Sequence, residues 1–186
     1  MNDSVDTGFA PVSDANWPAE LEDLRQGFAG QLNVYRAMAH HPALLRAWSD
    51  LREHVVNHTA LGPVRAEVVI LRAAHRLQAP YERSQHILRA RRVGLSDARI
   101  AALDGPLGDI GAEDRLLAEA VDNLIANARL PNALLTALVA EVGRKAVLDL
   151  MATVGFYSTL GYMLNTAQTP LDEDAEAALT ARPLAP

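Results

Sequence analysis

The sequence predicts an all-α fold, and three observations support this prediction. Hydrophobic residues make up 49% of the 186 residues but aromatic residues only 5%, and Ala, Leu and Arg, which are strong helix formers, recur throughout. The apolar positions follow helical spacing, and no stretch shows the alternation typical of a strand. Proline and glycine stand at intervals that suit helices joined by short turns. A chain of this length is expected to form one domain, here built from helical hairpins.

Composition divides the chain into an arm, a domain and a tail. Residues 1–17 are rich in Asp, Ser, Asn, Gly and Pro and lack periodicity, which predicts a flexible N-terminal arm. Residues 18–170 carry the helical periodicity and form the predicted domain. Residues 171–186 form a predicted C-terminal tail with one short helix.

The helix boundaries within the domain follow from proline, glycine and capping residues. A first helix is predicted over 18–37, with an interruption near Gly27 to Gly30. The remaining predicted helices cover 42–57, 63–78, 81–93, 96–103, 112–128, 131–142 and 144–167.

Charge and cysteine content narrow the possible functions. The net charge of −6 at pH 7 disfavours a nucleic-acid partner, because phosphates require a surplus of Lys and Arg. The absence of cysteine excludes a thiol nucleophile, a disulfide and thiolate metal ligands. The first residues do not resemble a secretory signal, so a cytoplasmic location is expected. The most apolar run, 150–164, is shorter than the ~18–20 residues of a membrane span, so no membrane partner is expected.

The most informative motif combines Tyr81, Glu82 and His86 at the start of one predicted helix. Glu82 and His86 stand four residues apart, which places both on one face of a helix. A carboxylate beside an imidazole is a workable proton-transfer unit, and Tyr81 adds a hydroxyl donor. The same spacing also occurs in ordinary solvated pairs on helix surfaces. The motif alone therefore leaves both interpretations open.

Glu67 is a second candidate, because it precedes the apolar run 68–71. A carboxylate beside core positions is either paired with an arginine, here Arg65 or Arg72, or shifted toward neutrality and functional. A metal site built from Glu67, Glu82, His86 and one more histidine would have ligands of suitable type. No HExxH or paired ExxH signature supports it, and no metal is predicted.

A cluster of arginines lies toward the end of the helix that carries His86. It consists of Arg83, Arg89, Arg91 and Arg92. Cations are favoured at a helix C-terminus by the backbone dipole, so the cluster indicates either a solvated basic end or attraction of an anionic substrate.

The order of these residues resembles the carboxymuconolactone decarboxylase family, which shares its fold with AhpD-type alkylhydroperoxidases. In the peroxidase branch, a Glu precedes a C-x-x-C pair that is followed by a His on the next helix. With His86 aligned to that His, the cysteines fall at Ala79 and Glu82, and the upstream Glu falls at Glu67. The matching positions extend over most of the chain and include Arg65, Arg72, Tyr81, Gly94, Leu95, Ser96, Gly155, Tyr157 and Asn165.

The resemblance implies a homo-oligomer, trimeric or hexameric, with a pocket near the helix that carries His86 and with no cofactor. We predict that His86 is the principal general acid or base, oriented by Glu82, with Glu67 and Tyr81 as partners. The predicted substrate-binding residues are Arg72, Tyr157 and His58.

The predicted activity is decarboxylation or isomerisation of a small organic acid or lactone by acid–base chemistry, without a thiol. The alternative is a non-catalytic member that binds a small ligand or acts as a scaffold, for which Glu67, Glu82 and His86 should be solvent exposed. A third hypothesis is a peroxide-handling protein that lacks the peroxidatic cysteine.

Helix geometry argues against a direct contact between Glu67 and His86. At about 1.5 Å per residue, Glu67 lies roughly 18 Å along its helix from Ala79, whereas His86 lies ~10 Å along the next helix. A simple antiparallel hairpin would not place them at the same height. Their convergence is therefore implied only by the resemblance.

Overall fold

The computed structural model describes residues 8–184, and every regular element within them is helical, as predicted. The α-helices are α1 (Glu22–Arg25), α2 (Phe28–Gln31), α3 (Asn33–Met38), α4 (Pro42–Glu53), α5 (Pro63–Arg76), α6 (Pro80–Arg92), α7 (Asp97–Ala102), α8 (Ala112–Asn127), α9 (Asn132–Ala167) and α10 (Glu173–Ala181). Shorter 3-10 turns cover Asp14–Asn16, Ala19–Leu21 and Leu107–Asp109, and a π-helical turn covers His54–His58.

Proline and capping residues fix the start of the helices around the site. Pro42, Pro63 and Pro80 each occupy the first turn of a helix, where the missing N–H costs no hydrogen bond. The Ser96 hydroxyl accepts a hydrogen bond of 3.3 Å from the backbone N–H of Arg99 and caps α7. Gly94, at φ 93°, provides the left-handed turn after α6. These boundaries agree with the sequence prediction.

The clearest difference between the predicted and the observed helices concerns the first predicted helix. The segment 18–37 folds into a 3-10 turn and the short helices α1, α2 and α3. The backbone is extended at Gly27, with φ −98° and ψ −154°, and at Leu32, with φ −118° and ψ 131°. The predicted interruption near Gly27 is confirmed. The second break, at Leu32, was not predicted, because no glycine or proline marks it in the sequence.

Helix α9 bends at Gly143, where φ is 83° and ψ is 162°. The bend separates the two helices that the sequence predicts over 131–142 and 144–167. By length and composition α9 is apolar enough to cross a membrane, but half of its most apolar window is buried inside the protein. A core helix of a soluble protein has the same properties.

Helix α5 lies at the centre of the domain. All nine residues from 66 to 74 are buried, and α5 packs against α6, α8 and α9. A helix that is covered on every side needs apolar or paired side chains throughout. The two charged residues of this stretch, Glu67 and Arg72, are therefore both held by partners inside the protein.

The N-terminal helices and the last part of α9 form a second core. Trp17, Leu21, Leu45, Phe156 and Leu160 are buried in it. Trp17 also donates a hydrogen bond of 3.0 Å from its indole N–H to the carbonyl of Leu21.

Residues 1–7 of the predicted arm lie outside the described residues.

Asp172 joins three distant stretches of the chain. Its carboxylate accepts a hydrogen bond of 2.8 Å from the backbone N–H of Asn33 and one of 2.6 Å from the Gln85 amide. The Tyr81 hydroxyl donates to the same carboxylate. Within the predicted tail, Asp172 thus anchors the start of α10 against α6, the helix that carries His86.

Candidate active site

Helices α5 and α6 bring Glu67, Glu82 and His86 into one buried cluster. Each of the three residues is 4% exposed. The Nδ1 atom of His86 lies 2.6 Å from Oε2 of Glu67, and its Nε2 atom lies 3.6 Å from Oε2 of Glu82. The expected shared face of Glu82 and His86 is thereby confirmed, and the imidazole stands between two carboxyl groups.

The contact between Glu67 and His86 differs from the expectation for a simple hairpin. That expectation counted residues 77–79 as part of the helical rise, but α5 ends at Arg76 and α6 begins at Pro80. Measured from these helix ends, Glu67 lies about 13.5 Å and His86 about 9 Å along its helix. The remaining offset of about 4.5 Å is within the reach of the two side chains.

Glu67, rather than Glu82, orients the imidazole. The bond of 2.6 Å to Glu67 is consistent with an Nδ1–H that donates to a carboxylate, which leaves Nε2 facing Glu82. Glu82 lies beyond hydrogen-bonding distance of Nε2. Its second oxygen, Oε1, is buried without a hydrogen-bond partner among the described residues. The hydrogen bond of the imidazole is thus made with Glu67, whereas the predicted orienting residue Glu82 makes a longer contact with Nε2.

The two carboxyl groups are shifted in opposite directions. Burial raises the pKa of Glu67, but the charges of His86 and Arg89 and their hydrogen bonds outweigh burial and hold this pKa below its usual value. Burial raises the pKa of Glu82 to about 7, against the partial opposition of His86 and Arg89. The site therefore holds one ionised carboxylate and one carboxyl group that exchanges a proton near neutral pH.

A cavity of about 330 Å³ opens beside this cluster. Glu67, Tyr157, Arg89 and Arg92 contribute its polar groups, whereas His86 and Glu82 lie behind its wall. Its apolar walls are formed by Val55, Val56, Pro63, Ala66, Ile70 and Val93. The volume suits a small organic molecule.

Tyr157 links the cavity to the imidazole. Its ring packs edge to face against His86, with 4.9 Å between the ring centroids, and the residue lines the cavity. Burial and the nearby Glu82 raise the pKa of Tyr157 well above 10, so the hydroxyl stays a neutral donor. This position is compatible with the predicted substrate contact.

Arg72 has an internal structural role in place of the predicted substrate contact. Its guanidinium donates two hydrogen bonds, of 2.8 and 2.7 Å, to the carboxylate of Asp122. It also donates to the carbonyls of Leu103 and Gly105, at 2.8 and 2.7 Å. Arg72 is buried and does not line the cavity.

Tyr81 and His58 also lie outside the cluster. The Tyr81 hydroxyl donates to Asp172 and accepts a hydrogen bond of 3.3 Å from the backbone N–H of Val34. Burial raises the pKa of Tyr81 above its usual value. His58 is exposed and pairs with Glu53 at 3.2 Å. Neither residue lines the cavity beside Glu67.

Arg89 is the partner of Glu67 that the sequence analysis did not identify. Its Nε atom donates a hydrogen bond of 3.2 Å to Oε1 of Glu67, whereas the expected partner Arg65 pairs with Glu141 on the surface. Arg89 follows His86 by three residues and so shares its helix face. That spacing is the signal that would have identified it.

The burial of the cluster bears on the remaining hypotheses. A non-catalytic member should leave Glu67, Glu82 and His86 exposed, but all three are buried and in contact. Among residues 8–184, no group of three His, Asp or Glu side chains is placed to hold a metal ion.

Part of the chain matches a known protein family. Residues 42–122 match the Carboxymuconolactone decarboxylase family. No curated protein sequence matches the chain.

Solved structures with a similar fold cover nearly all of the chain. An alkylhydroperoxidase AhpD core, described as an uncharacterized peroxidase-related protein from Ralstonia eutropha JMP134, has a TM-score of 0.75 and 16% identity over 90% of this chain and 94% of that chain. The debrominase Bmp8, as a Cys-to-Ala variant in complex with 2,3,4-tribromopyrrole, has a TM-score of 0.75 and 16% identity over 96% of this chain and 99% of that chain. An uncharacterized peroxidase-related protein from Silicibacter sp. TM1040 has a TM-score of 0.75 and 13% identity over 93% and 94%.

At these identities the structural likeness establishes the fold alone. The family match covers α4 to most of α8 and includes Glu67, Glu82 and His86. Over residues 42–122 the chain is similar to the Carboxymuconolactone decarboxylase family. It contains no cysteine, and its helical fold is like that of the AhpD core.

Proposed function

We propose that the chain is an acid–base enzyme that decarboxylates or isomerises a small organic acid or lactone without a thiol or a cofactor. One observation carries the proposal: His86 stands between two buried carboxyl groups, and Glu67 connects it to a cavity of small-molecule size. Buried carboxyl groups with opposed pKa shifts beside a histidine are characteristic of proton-transfer sites.

Glu67 is the group through which a proton reaches the cavity. It lines the cavity, whereas His86 lies behind it at 2.6 Å. This arrangement assigns Glu67 the transfer at the cavity wall and His86 the supply of the proton. The hydrogen bond between Nδ1 and the Glu67 carboxylate also fixes the orientation of the imidazole, as a carboxylate partner does in other histidine-based sites.

For a lactone acid, the reaction begins with cleavage of the carbon–carbon bond to the carboxylate. Carbon dioxide leaves, and the electron pair passes into the conjugated carbonyl group to form a dienolate. Tyr157 lines the cavity, and in this proposal its hydroxyl donates a hydrogen bond to the enolate oxygen. A carbon of the dienolate then takes the proton that His86 gives through Oε2 of Glu67. Solvent restores that proton before the next turnover.

A peroxidase reaction of the kind suggested by the names of two structural neighbours has less support. Reduction of a hydroperoxide in a cofactor-free site of this type requires a thiolate. The chain contains no cysteine, and Glu82 occupies one of the two positions at which the family resemblance would place a thiol.

Replacement of His86 tests the proposal. With carboxymuconolactone as substrate, His86→Asn should lower kcat for carbon dioxide release by at least about 100-fold, which is the usual loss when a general acid or base is removed. Glu67→Gln should cause a similar loss. In D₂O, the wild-type product should carry deuterium at the protonated carbon.

His75→Asn is the matched control, because His75 lies at the end of α5 and does not line the cavity beside Glu67. It should retain wild-type turnover. Full activity in His86→Asn would remove His86 from the mechanism. A wild-type protein that neither releases carbon dioxide nor promotes deuterium exchange into lactone acids would contradict the proposal.

A further inference from the structure

The charges that line the cavity beside Glu67 do not balance. Glu67 is the acidic lining residue, and Arg89 neutralises it through the 3.2 Å contact. Arg92 also lines the cavity, and its guanidinium has no hydrogen bond or ion pair with any residue from 8 to 184. The lining therefore has one uncompensated positive charge.

The other arginines of α6 show that an unpaired guanidinium is an exception on this helix. Arg83 pairs with Asp104, and Arg91 donates to Asp97 at 2.8 Å. The arginines that do not line the cavity thus have carboxylate partners within the protein. Among the arginines of α6, Arg92 alone has no carboxylate partner among residues 8–184, and it lines the cavity beside Glu67.

The order of residues along α6 gives the cavity a direction. His86 is buried, Arg89 is partly exposed and Arg92 is exposed. Because Arg92 follows His86 by six residues, it lies about 9 Å further along the helix axis. A charged group held at Arg92 would thus place the rest of a small molecule toward Glu67 and Tyr157.

We propose that Arg92 is the specificity residue of this cavity and that it binds a carboxylate of a small organic acid with an apolar body. The inference rests on the proposed function and names the residue that recognises its substrate. The carboxylate lies at the exposed end, where the planar guanidinium can donate two parallel hydrogen bonds. The apolar body lies against the walls formed by Val55, Val56, Ile70 and Val93.

A carboxylate at the outer end of the cavity is favoured over a neutral or a cationic group. A neutral group would leave the Arg92 charge without a partner, and a cation would be repelled by Arg92 at the entrance. A negative charge at the outer end compensates the charge of Arg92.

A binding experiment that needs no turnover tests the inference. The probes are cyclohexanecarboxylate and its neutral analogue cyclohexanecarboxamide, titrated separately into the full chain at about pH 7.5, well above the carboxylate's titration range, and followed by ¹H–¹⁵N NMR. Wild-type protein should bind the carboxylate at least about tenfold more tightly than the amide, as expected for a charge-assisted hydrogen bond. Added salt should reduce this preference.

Variants at Arg92 locate the source of the preference. Arg92→Gln should bind the two probes with similar affinity, and Arg92→Lys should keep only part of the preference, because lysine retains the charge but lacks the planar fork. Arg65→Gln is the control, since it removes an equal charge from an exposed pair on α5, and it should keep the full preference.

Three outcomes would overturn the inference: equal affinity of the wild-type protein for both probes, no binding of either probe, or an undiminished preference in Arg92→Gln. The result is separable from the proposed function. A preference that depends on Arg92, in a protein without turnover, supports this inference and contradicts the proposed chemistry. Turnover that depends on His86, in a protein without such a preference, supports the proposed chemistry and contradicts this inference.

Discussion

Glu82 combines burial with an oxygen that lacks a hydrogen-bond partner among the described residues. Its pKa rises from 4.5 to about 7 in the folded protein. Between these values the folded state holds a proton that the unfolded chain has released. Stability therefore decreases as pH rises from about 4.5 to about 7, and the contribution is level above that window.

Glu82→Gln should remove this dependence, because glutamine keeps the shape of the side chain but does not ionise. The free energy of unfolding of the variant, relative to wild type, should increase by roughly 1–3 kcal/mol between about pH 5 and about pH 8. Urea denaturation at the two pH values measures it. Glu141→Gln, on the surface, should show a much smaller change. An equal difference between Glu82→Gln and wild type at both pH values would exclude a raised pKa.

The residue-level prediction succeeded where a single helix decides the geometry. Glu82 and His86 share a face because four residues separate them. The contact between Glu67 and His86 depends on where α5 ends and on how residues 77–79 turn, which the apolar pattern does not determine. Arg89 joins the cluster by pairing with Glu67. This pair can be predicted only when the contact between Glu67 and His86 is known.

At the scale of the element, the bend in α9 depends on Gly143. A residue with φ 83° and ψ 162° occupies a region that is essentially restricted to glycine. An added Cβ would have no neighbour within 4 Å. Any cost of substitution at this position is therefore a backbone cost.

Gly143→Ala should lower the free energy of unfolding by about 1–3 kcal/mol, as measured by urea denaturation. Gly155→Ala is the matched control, because Gly155 lies in the same helix with equally open space around its Cα. That change should be neutral or should stabilise by about 0.5–1 kcal/mol. Equal effects of the two substitutions would contradict the account of the bend.

Helix boundaries could be predicted where proline or glycine dictates the backbone. Pro42, Pro63 and Pro80 start helices at the expected places. The segment 18–37 was predicted less well, because its break at Leu32 arises in a residue that favours helices. Tertiary contacts of the second core override local preference there.

At the scale of the whole molecule, Arg72 connects the central helix to its surroundings. Through Asp122 it ties α5 to α8, and through the carbonyls of Leu103 and Gly105 it ties α5 to the loop after α7. Removing one partner of a buried ion pair leaves the other without compensation.

Arg72→Met should lower the free energy of unfolding by about 3 kcal/mol and leave the carboxylate preference of the cavity intact in the fraction that folds. Arg65→Met, which breaks an exposed pair with Glu141, should cost less than about 1 kcal/mol. Chemical denaturation and the NMR titration provide the two measurements. A selective loss of carboxylate binding in Arg72→Met would restore its predicted role in substrate binding.

The hydrogen bonds that Asp172 accepts from Asn33 and from two residues of α6 give the molecule a built-in reporter of local opening. The backbone N–H of Asn33 donates to this carboxylate, so its exchange with solvent deuterium requires the start of α10 to separate from the N-terminal helices. The same separation releases Tyr81 and Gln85 on α6. The exchange rate of a single amide therefore records how often the helix that carries His86 loses its support at that end.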